Sequence, residues 1–180
     1  MRVLRCLLLF ASGLVGALLT ASAPLDAETT AVKAAAPPAA AKAAPAPTSI
    51  RWRAIVAGEV EAKKNGKPAL YFFTAAWCGP CHLLEDQVFT IPEVAGQIER
   101  DFVPIVVQDH AREAGRNAPE MLALADRYGL RGFPTLVVSR PNLAAAVTLE
   151  GWEGPGAAID FLKTSRKRFL FMERKEGAKK

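Results

Sequence analysis

The sequence predicts an α/β fold with a central mixed sheet of four strands flanked by helices. Three observations support this prediction. Helical patterns alternate with short apolar runs of strand length, and the run at 69–74 is continuously apolar, as in a strand covered on both faces. A hairpin pattern followed by one more helix closes the chain. The chain has 180 residues, which is enough for one domain and too few for two of ordinary size.

The first half of the domain is predicted to form a helix, a strand, two helices and a second strand. Thr48 or Ser49 is expected to cap the first helix, and Asn65-Gly66 to end it before Pro68. The buried face of this helix is expected to carry Trp52, Ile55, Val56 and Val60. The elements that follow are a strand at 69–74, a helix at 78–88, a helix from Pro92 to about Arg100, and a strand at 102–108.

The second half is predicted to contain a helix, two strands and a final helix. A polar loop is expected at 109–117, and Gly129 ends the helix that starts at Pro119. Pro141-Asn142 is expected to join strands at 135–139 and 144–149, the second of which ends at Gly151-Trp152. Two helix faces are predicted to be buried: Met121, Leu124, Ala125 and Tyr128 on the helix at 119–128, and Ala158, Phe161, Leu162 and Phe169 on a helix from Gly156 to about Phe171.

The first 23 residues have the three parts of an export signal. Arg2 and Arg5 provide positive charge, residues 7–19 form an uncharged apolar run, and Ala21-Ser22-Ala23 has the form of a cleavage site. Because Pro24 is unfavourable after a cut, other outcomes stay open.

Cleavage after Ala27 is one of these outcomes, and retention of residues 7–23 as a membrane anchor is the other, since that run is close to the lower length limit of a spanning helix. Each outcome places the remaining chain outside the cytosol, and we expect a bacterial periplasm. Residues 24–49 are rich in Ala and Pro and are expected to form an extended linker. The folded domain is expected at 50–172 and a basic tail at 173–180.

The net charge of +5 is concentrated at the C-terminal end of the chain. Residues 50–162 carry 11 Lys/Arg and 14 Asp/Glu, whereas residues 163–180 carry eight Lys/Arg and two Asp/Glu. The domain therefore has no basic stripe, which argues against a nucleic-acid partner. The basic end is expected to be solvated, with contact to a membrane surface as the alternative.

Cys78 and Cys81 carry the predicted chemistry. They lie three residues apart at the start of a predicted helix, so that their sulfurs share one face and can meet. The free N–H groups at a helix N-terminus favour a thiolate at Cys78, which is expected to lower its pKa and to make it the nucleophile. Cys81 would then resolve the mixed disulfide. Gly79 and Pro80 occupy the first turn, where the missing N–H of proline costs little.

The run Trp77-Cys78-Gly79-Pro80-Cys81 resembles the active-site motif of the thioredoxin superfamily, and the resemblance covers residues 50–170. Gly132-Phe133-Pro134-Thr135 resembles the cis-proline loop of that family. The resemblance implies a thioredoxin fold, a cis Phe133–Pro134 bond facing the cysteines, and substrate binding by Trp77, Phe133 and Pro134. Packing at the rim is the alternative role for Trp77.

A further series of features resembles the exported thioredoxin-like domains of periplasmic disulfide-interchange reductases: Gly66-Lys67-Pro68, Cys81-His82-Leu83-Leu84-Glu85, Val88-Phe89, Pro92-Glu93-Val94 and Phe102-Val103-Pro104. The chain departs from cytosolic thioredoxin at Phe72, where that family has a buried aspartate that assists proton transfer. Glu85 and Asp86 are expected to lie on solvated helix faces instead of replacing it.

Other chemistries fit the motifs less well. Cys78-Gly79-Pro80-Cys81-His82 has the pattern of a c-type haem attachment site, but it follows an apolar strand, and neither Met121 nor Met172 is placed as an axial ligand. A structural zinc site would need more ligands than His82 and His110 add to the pair. We therefore expect no cofactor and no metal.

The residues predict an exported thiol–disulfide oxidoreductase that reduces protein disulfides, because Gly-Pro between the cysteines resembles the reducing members of the superfamily. Its partners would be protein thiols or disulfides and an upstream thiol electron donor. The alternative function is a binding or chaperone module in which the Cys78–Cys81 disulfide is structural.

Overall fold

The computed structural model describes residues 49–140 and 145–177 of the chain. The predicted export signal, nearly all of the predicted linker and the turn at Pro141-Asn142 lie outside the described residues. None of the helices in the described ranges is both long enough and apolar enough to cross a membrane.

Within these ranges the chain forms helices α1 to α6 and strands β1 to β4. Their order is α1 (Ile55–Asn65), β1 (Ala69–Ala75), α2 (Gly79–Leu84), α3 (Pro92–Asp101), β2 (Val103–Asp109), α4 (Ala111–Ala114), α5 (Pro119–Tyr128), β3 (Thr135–Ser139), β4 (Ala146–Glu150) and α6 (Pro155–Gly177). A π-helical segment, Glu85–Phe89, continues α2. Residues 78–89 therefore form one helical segment with Cys78 as its N-cap, close to the predicted helix at 78–88.

The four strands form one mixed sheet, as the sequence predicted, and their order in it is β2-β1-β3-β4. Strand β1 is parallel to β2 and antiparallel to β3, and β3 and β4 form an antiparallel pair. All seven residues of β1 are buried, which explains its continuously apolar sequence. Because β1 and β2 are parallel and Ala75 is opposite Asp109, the segments that follow them leave the sheet at the same edge.

A separate apolar core covers each face of the sheet. Phe72 points into the core that also contains Cys78, Cys81, Phe89 and residues of α3 and α6. Its neighbour Tyr71 points into the opposite core with residues of α1 and α5. The predicted inward faces of α5 and α6 are confirmed, since Met121, Leu124, Ala158, Leu162 and Phe169 are buried.

The predicted start of the first helix was wrong, and its predicted buried face was wrong at Val56 and Val60, whereas Trp52 and Ile55 are partly buried against the two cores. The helix begins at Ile55, after an extended segment in which Arg53 pairs with Ile105 beside β2. Val56 and Val60 are consequently 60% and 61% exposed, not buried. The backbone explains the difference, because the N–H of Arg53 donates to Pro104 and its carbonyl accepts from Val106, which holds residue 53 in a strand-like conformation.

Two other elements differ from the prediction. The predicted loop at 109–117 contains the short helix α4, whose first N–H groups are held by side chains: Asp109 accepts from the N–H of Ala111 at 2.8 Å, and Asn117 from that of His110 at 2.6 Å. Helix α6 continues past Phe171 to Gly177, because no proline or glycine interrupts the good helix formers in between.

Candidate active site

Cys78 and Cys81 form a disulfide at the start of α2, with their Cα atoms 5.3 Å apart. Cys78 is the N-cap residue, and its sulfur accepts a hydrogen bond from the backbone N–H of Cys81 at 3.2 Å. This contact satisfies one of the free donors of the first helical turn. Gly79 and Pro80 form the exposed first turn between the cysteines, as the motif predicted.

The two cysteines differ little in exposure, since Cys78 is 3% and Cys81 0% exposed. Both lie in the apolar core that contains Phe72. Phe72 is itself 1% exposed and packs against Trp52 and Phe89, with ring centroids 5.5 and 5.2 Å away. An aromatic side chain therefore occupies the position at which the sequence lacks the buried aspartate of thioredoxin, and it cannot exchange a proton.

His82, next to Cys81, is exposed and bridges two groups at the helix start. Its Nε2 lies 3.0 Å from the carbonyl oxygen of Ala76, and its Nδ1 lies 3.4 Å from a carboxylate oxygen of Glu85. The hydrogen bond to Ala76 raises the pKa of His82, and Glu85 raises it further. Glu85 is half-exposed and Asp86 is exposed, as predicted. Neither carboxylate replaces the missing buried acid.

The Phe133–Pro134 peptide bond is cis, which confirms the expectation from the sequence. Pro134 is buried at the start of β3, and its carbonyl accepts a hydrogen bond from the N–H of Gly151 at 2.8 Å. The hydroxyl of Thr135 donates to the carbonyl of Gly132 at 2.8 Å. Because β3 is antiparallel to β1 and Thr135 is opposite Phe73, this loop lies at the edge of the sheet from which the cysteine segment leaves.

Trp77 connects the cysteine segment to the cis-proline loop. Its ring meets the ring of Phe133 edge-on, with centroids 5.7 Å apart and planes at 80°. The guanidinium of Arg112 also lies over the Trp77 ring, with its Cζ atom 3.6 Å from the ring centre. The structure thus brings together the predicted residues Trp77, Cys78, Cys81, Phe133 and Pro134 at one edge of the sheet.

Two residues at this site were not predicted from the sequence. Gly151 was expected only to end a strand, yet its N–H anchors the carbonyl of Pro134. Arg112 was expected in a polar loop, and no spacing rule links it to Trp77, 35 residues earlier. The signal that could have found Arg112 is topological, since the carboxyl ends of parallel strands β1 and β2 meet at the same edge of the sheet.

Within the described residues, no group of three or more His, Cys, Asp or Glu side chains is arranged to hold a metal ion.

A comparison with protein families shows that residues 57–151, more than half of the chain, match the family model of the thioredoxin-like domain. The chain belongs to this family. The thioredoxin-like domain described here carries a Cys-x-x-Cys pair joined as a disulfide, and it is a thiol–disulfide oxidoreductase of thioredoxin type.

Known proteins resemble this thioredoxin-like domain in sequence and in structure. A thioredoxin from Thiocapsa roseopersicina is 33% identical over 84 residues, which span 47% of this chain and 79% of that protein. The solved structure of a DsbH oxidoreductase is similar with a TM-score of 0.57 and 20% identity, covering 73% of this chain and 95% of that one.

The reduced C-terminal domain of DsbD from Neisseria meningitidis is similar with a TM-score of 0.50 and 23% identity, covering 61% of this chain and 91% of that one. Because both solved structures share less than a quarter of their residues with this chain, they support the fold alone.

Proposed function

We propose that this protein is an exported reductase of protein disulfides. The observation that carries the proposal is the placement of Cys78 and Cys81 at a helix start, beside a cis-proline loop and within an apolar core. Gly79 and Pro80 between the cysteines favour reduction over oxidation by their resemblance to reducing members of the superfamily. The clients are protein disulfides, and the electrons come from an upstream thiol donor.

In the proposed reaction, the thiolate of Cys78 attacks one sulfur of a substrate disulfide, and the other substrate sulfur leaves as a thiolate. Cys81 then loses its proton and attacks the sulfur of Cys78, which releases the second substrate thiolate and forms the Cys78–Cys81 disulfide. Both substrate sulfurs end as thiols, and the dithiol has lost two electrons and two protons. An external thiol donor returns them in the reverse exchange.

The backbone N–H of Cys81 supports the first step, because it already points at the sulfur of Cys78 at 3.2 Å and would stabilise a thiolate there. For the second step, Phe72 offers no base. The substrate thiolate released in the first step is then a base that can take the proton of Cys81.

Trp77, Phe133 and Pro134 form the proposed substrate-binding surface. Trp77 directly precedes Cys78 and contacts Phe133, which packs against the core that contains both cysteines and belongs to the cis peptide bond with Pro134. An extended substrate segment would pair with the backbone of this loop while its cysteine reaches Cys78.

Two cysteine variants test the catalytic role. Cys78→Ser is expected to abolish reduction of a protein disulfide, whereas Cys81→Ser is expected to accumulate mixed disulfides with substrate on non-reducing gels. Phe89→Leu, which changes the same core but no sulfur, is the control that should keep turnover. If Cys78→Ser retains partner binding and the cellular phenotype, the protein is a binding module with a structural disulfide.

The direction of electron flow is tested by the equilibrium reduction potential of the Cys78–Cys81 couple. A value near the about −270 mV of thioredoxin would support a reductase, and a value near the about −120 mV of a strong periplasmic oxidant would make the protein a disulfide donor.

Export is tested by fractionating cells that produce the full chain and measuring the intact mass of the protein. A mass that corresponds to a chain beginning after Ala23 or after Ala27 indicates cleavage. The full mass in the membrane fraction, with the domain accessible to an external protease, indicates an anchor at residues 7–23. Full-length protein in the cytosol would contradict the proposed localisation.

A further inference from the structure

Three side chains from three separate segments form a stack beside the disulfide. The guanidinium of Arg112 lies 3.6 Å from the centre of the Trp77 ring, and Trp77 contacts the edge of Phe133. Trp77 directly precedes Cys78, and Phe133 directly precedes the cis-bonded Pro134. The Arg112–Trp77–Phe133 stack therefore joins the two segments between which a substrate disulfide would bind.

The position of Arg112 follows from the fold. It lies in α4, directly after β2, and β2 ends opposite the end of β1. Hydrogen bonds from the backbone at the start of α4 to Asp109 and Asn117, at 2.8 and 2.6 Å, fix this short helix on the end of the strand. The arginine is thus held over the active-site edge by elements other than its contact with Trp77.

A guanidinium stacked on an indole uses its planar face and leaves its N–H edges available. Arg112 is exposed, and within the described part of the chain it forms no ion pair with a carboxylate. The edge of an arginine fork matches a carboxylate in geometry and in charge. Arg112 is therefore arranged to receive an acidic group that the described residues do not supply.

Two other basic side chains belong to the cysteine segment and the cis-proline segment, and each of them already faces a carboxylate. His82 follows Cys81 in the chain, and its Nδ1 lies 3.4 Å from a carboxylate oxygen of Glu85. Arg131 precedes the cis-proline loop, and its side chain is 82% exposed. Its guanidinium lies 3.6 Å from a carboxylate oxygen of Glu150. Arg112 differs from both, because no carboxylate of the described residues pairs with it, and its charge favours a negatively charged partner over a positively charged one.

We propose that Arg112 is a specificity-determining residue that binds a carboxylate of the substrate. The favoured substrates are polypeptides with an Asp or Glu side chain within a few residues of the reacting cysteine. This inference rests on the proposed function, since it requires Trp77 and Phe133 to face the substrate. Arg112 takes no part in the exchange of sulfur bonds, so its contact is made equally before and during the reaction. It should therefore affect the half-saturating concentration of substrate more than the maximal rate.

The test uses two disulfide peptides that differ at one position two residues from the cysteine, Glu in one and Gln in the other. Pre-reduced protein is mixed with increasing peptide, and the single-turnover rate is followed through the peptide thiol released. The wild type is expected to saturate at a lower concentration of the Glu peptide. In Arg112→Gln this preference should fall by about three- to fivefold, the size of an exposed ion pair, with the maximal rate little changed.

Two further variants separate the stack from general charge. Arg116→Gln removes an exposed arginine just beyond α4 that makes no contact with Trp77, and it should keep the full preference. Arg112→Lys keeps the positive charge but lacks the planar guanidinium. This variant should keep only part of the preference for the Glu peptide. Added salt should weaken the preference of the wild type for the Glu peptide, because salt screens the attraction between exposed charges.

Equal use of the two peptides by the wild type, or an unchanged preference in Arg112→Gln, would overturn the inference. The inference would also be overturned if Arg116→Gln lost as much of the preference for the Glu peptide as Arg112→Gln does. If neither peptide is reduced by the wild type, the proposed function has failed. The inference is then decided by titrating the oxidised protein with both peptides: tighter binding of the Glu peptide that depends on Arg112 supports it, and equal Kd values overturn it.

Discussion

Glu99 anchors the extended segment that precedes α1. Its carboxylate accepts hydrogen bonds from the backbone N–H of Arg51 at 2.6 Å and from the guanidinium of Arg53 at 2.8 Å. The Glu99 side chain is only 4% exposed and that of Arg53 14%. Burial opposes the charged carboxylate, but these donors outweigh it and hold the pKa of Glu99 below its usual value.

Glu99→Gln is expected to lower the free energy of unfolding at pH 7 by roughly 1–3 kcal/mol, because Arg53 loses a buried charged partner. Since the folded-state pKa is depressed, this contribution is complete above the unfolded-state value of about 4.5 and disappears as pH falls through the folded-state value. Urea unfolding at several pH values should therefore show the gap between wild type and variant closing below pH 4.5.

Glu61→Gln is the matched control, because Glu61 also pairs with Arg53 at 3.0 Å but its side chain is 36% exposed. It should cost less than Glu99→Gln. An equal cost for the two variants, or a Glu99→Gln effect that does not change with pH, would contradict this account of the segment.

His82 allows a second prediction at the scale of one residue. Glu85→Gln removes the carboxylate but leaves the carbonyl of Ala76 in place, and that carbonyl is the larger cause of the raised pKa of His82. The pKa of His82 should fall only part of the way toward 6.5. An NMR titration of the oxidised protein measures it, and a complete return to 6.5 would show that the Ala76 contact contributes nothing.

At the scale of elements, α1 packs closely on β2 at Gly58. A Cβ at this position would lie 2.4 Å from Cγ1 of Ile105 and 3.1 Å from Cβ of Arg53. Ile105 is fully buried and cannot move outward. Gly58 is therefore required by the distance between the helix and the strand.

Gly58→Ala should destabilise the protein by about 1–3 kcal/mol, although alanine is the better helix former. Gly156→Ala, in the first turn of α6 with nothing within 4 Å of the added methyl, is the control and should be neutral or stabilising. Denaturant unfolding of both variants measures the difference. A stabilised Gly58→Ala variant would mean that α1 shifts away from the sheet without cost.

The elements also show which sequence signals suffice. Helix α5 was predicted with its bounds because Pro119 and Gly129 mark both ends and the apolar spacing is regular. For α1, the positions of Val56 and Val60 fitted a helical face but did not indicate its burial, because the partner that fixes the helix start is the distant strand β2. Local spacing therefore predicted the helices, whereas their starts and orientations required non-local contacts.

At the scale of the whole molecule, the sheet separates two cores. Phe72 belongs to one and Met121 to the other, whereas Phe72 and Phe89 share one core with ring centroids 5.2 Å apart. The destabilising effects of Phe72→Leu and Met121→Ala should add to within about 0.5 kcal/mol. Those of Phe72→Leu and Phe89→Leu should depart from additivity by about 0.5–3 kcal/mol. Urea unfolding of the single and double variants tests this, and strong coupling across the sheet would contradict the separation of the cores.

The site was predictable where it depends on motifs and not where it depends on the folded sheet. Cys78, Cys81 and the cis bond at Pro134 follow from short runs of sequence that serve one purpose in the family. Arg112 and Gly151 reach the site only because β2 and β4 end near it. Their residue types carry no signal on their own, since an arginine in a polar loop and a glycine after a strand occur in many proteins.

The attachment of residue 53 to β2 has a mechanical consequence. A pulling force on the chain before residue 51 would act first on two sets of hydrogen bonds. One set joins Arg51 and Arg53 to Glu99, and the other joins the backbone of Arg53 to that of β2. These bonds lie at the outer edge of the sheet, where β2 is the terminal strand, while the cis-proline loop begins β3 on the other side of β1. Tension on the N-terminal segment would thus be borne by β2 and α3 before it could separate the cysteines from the loop they face.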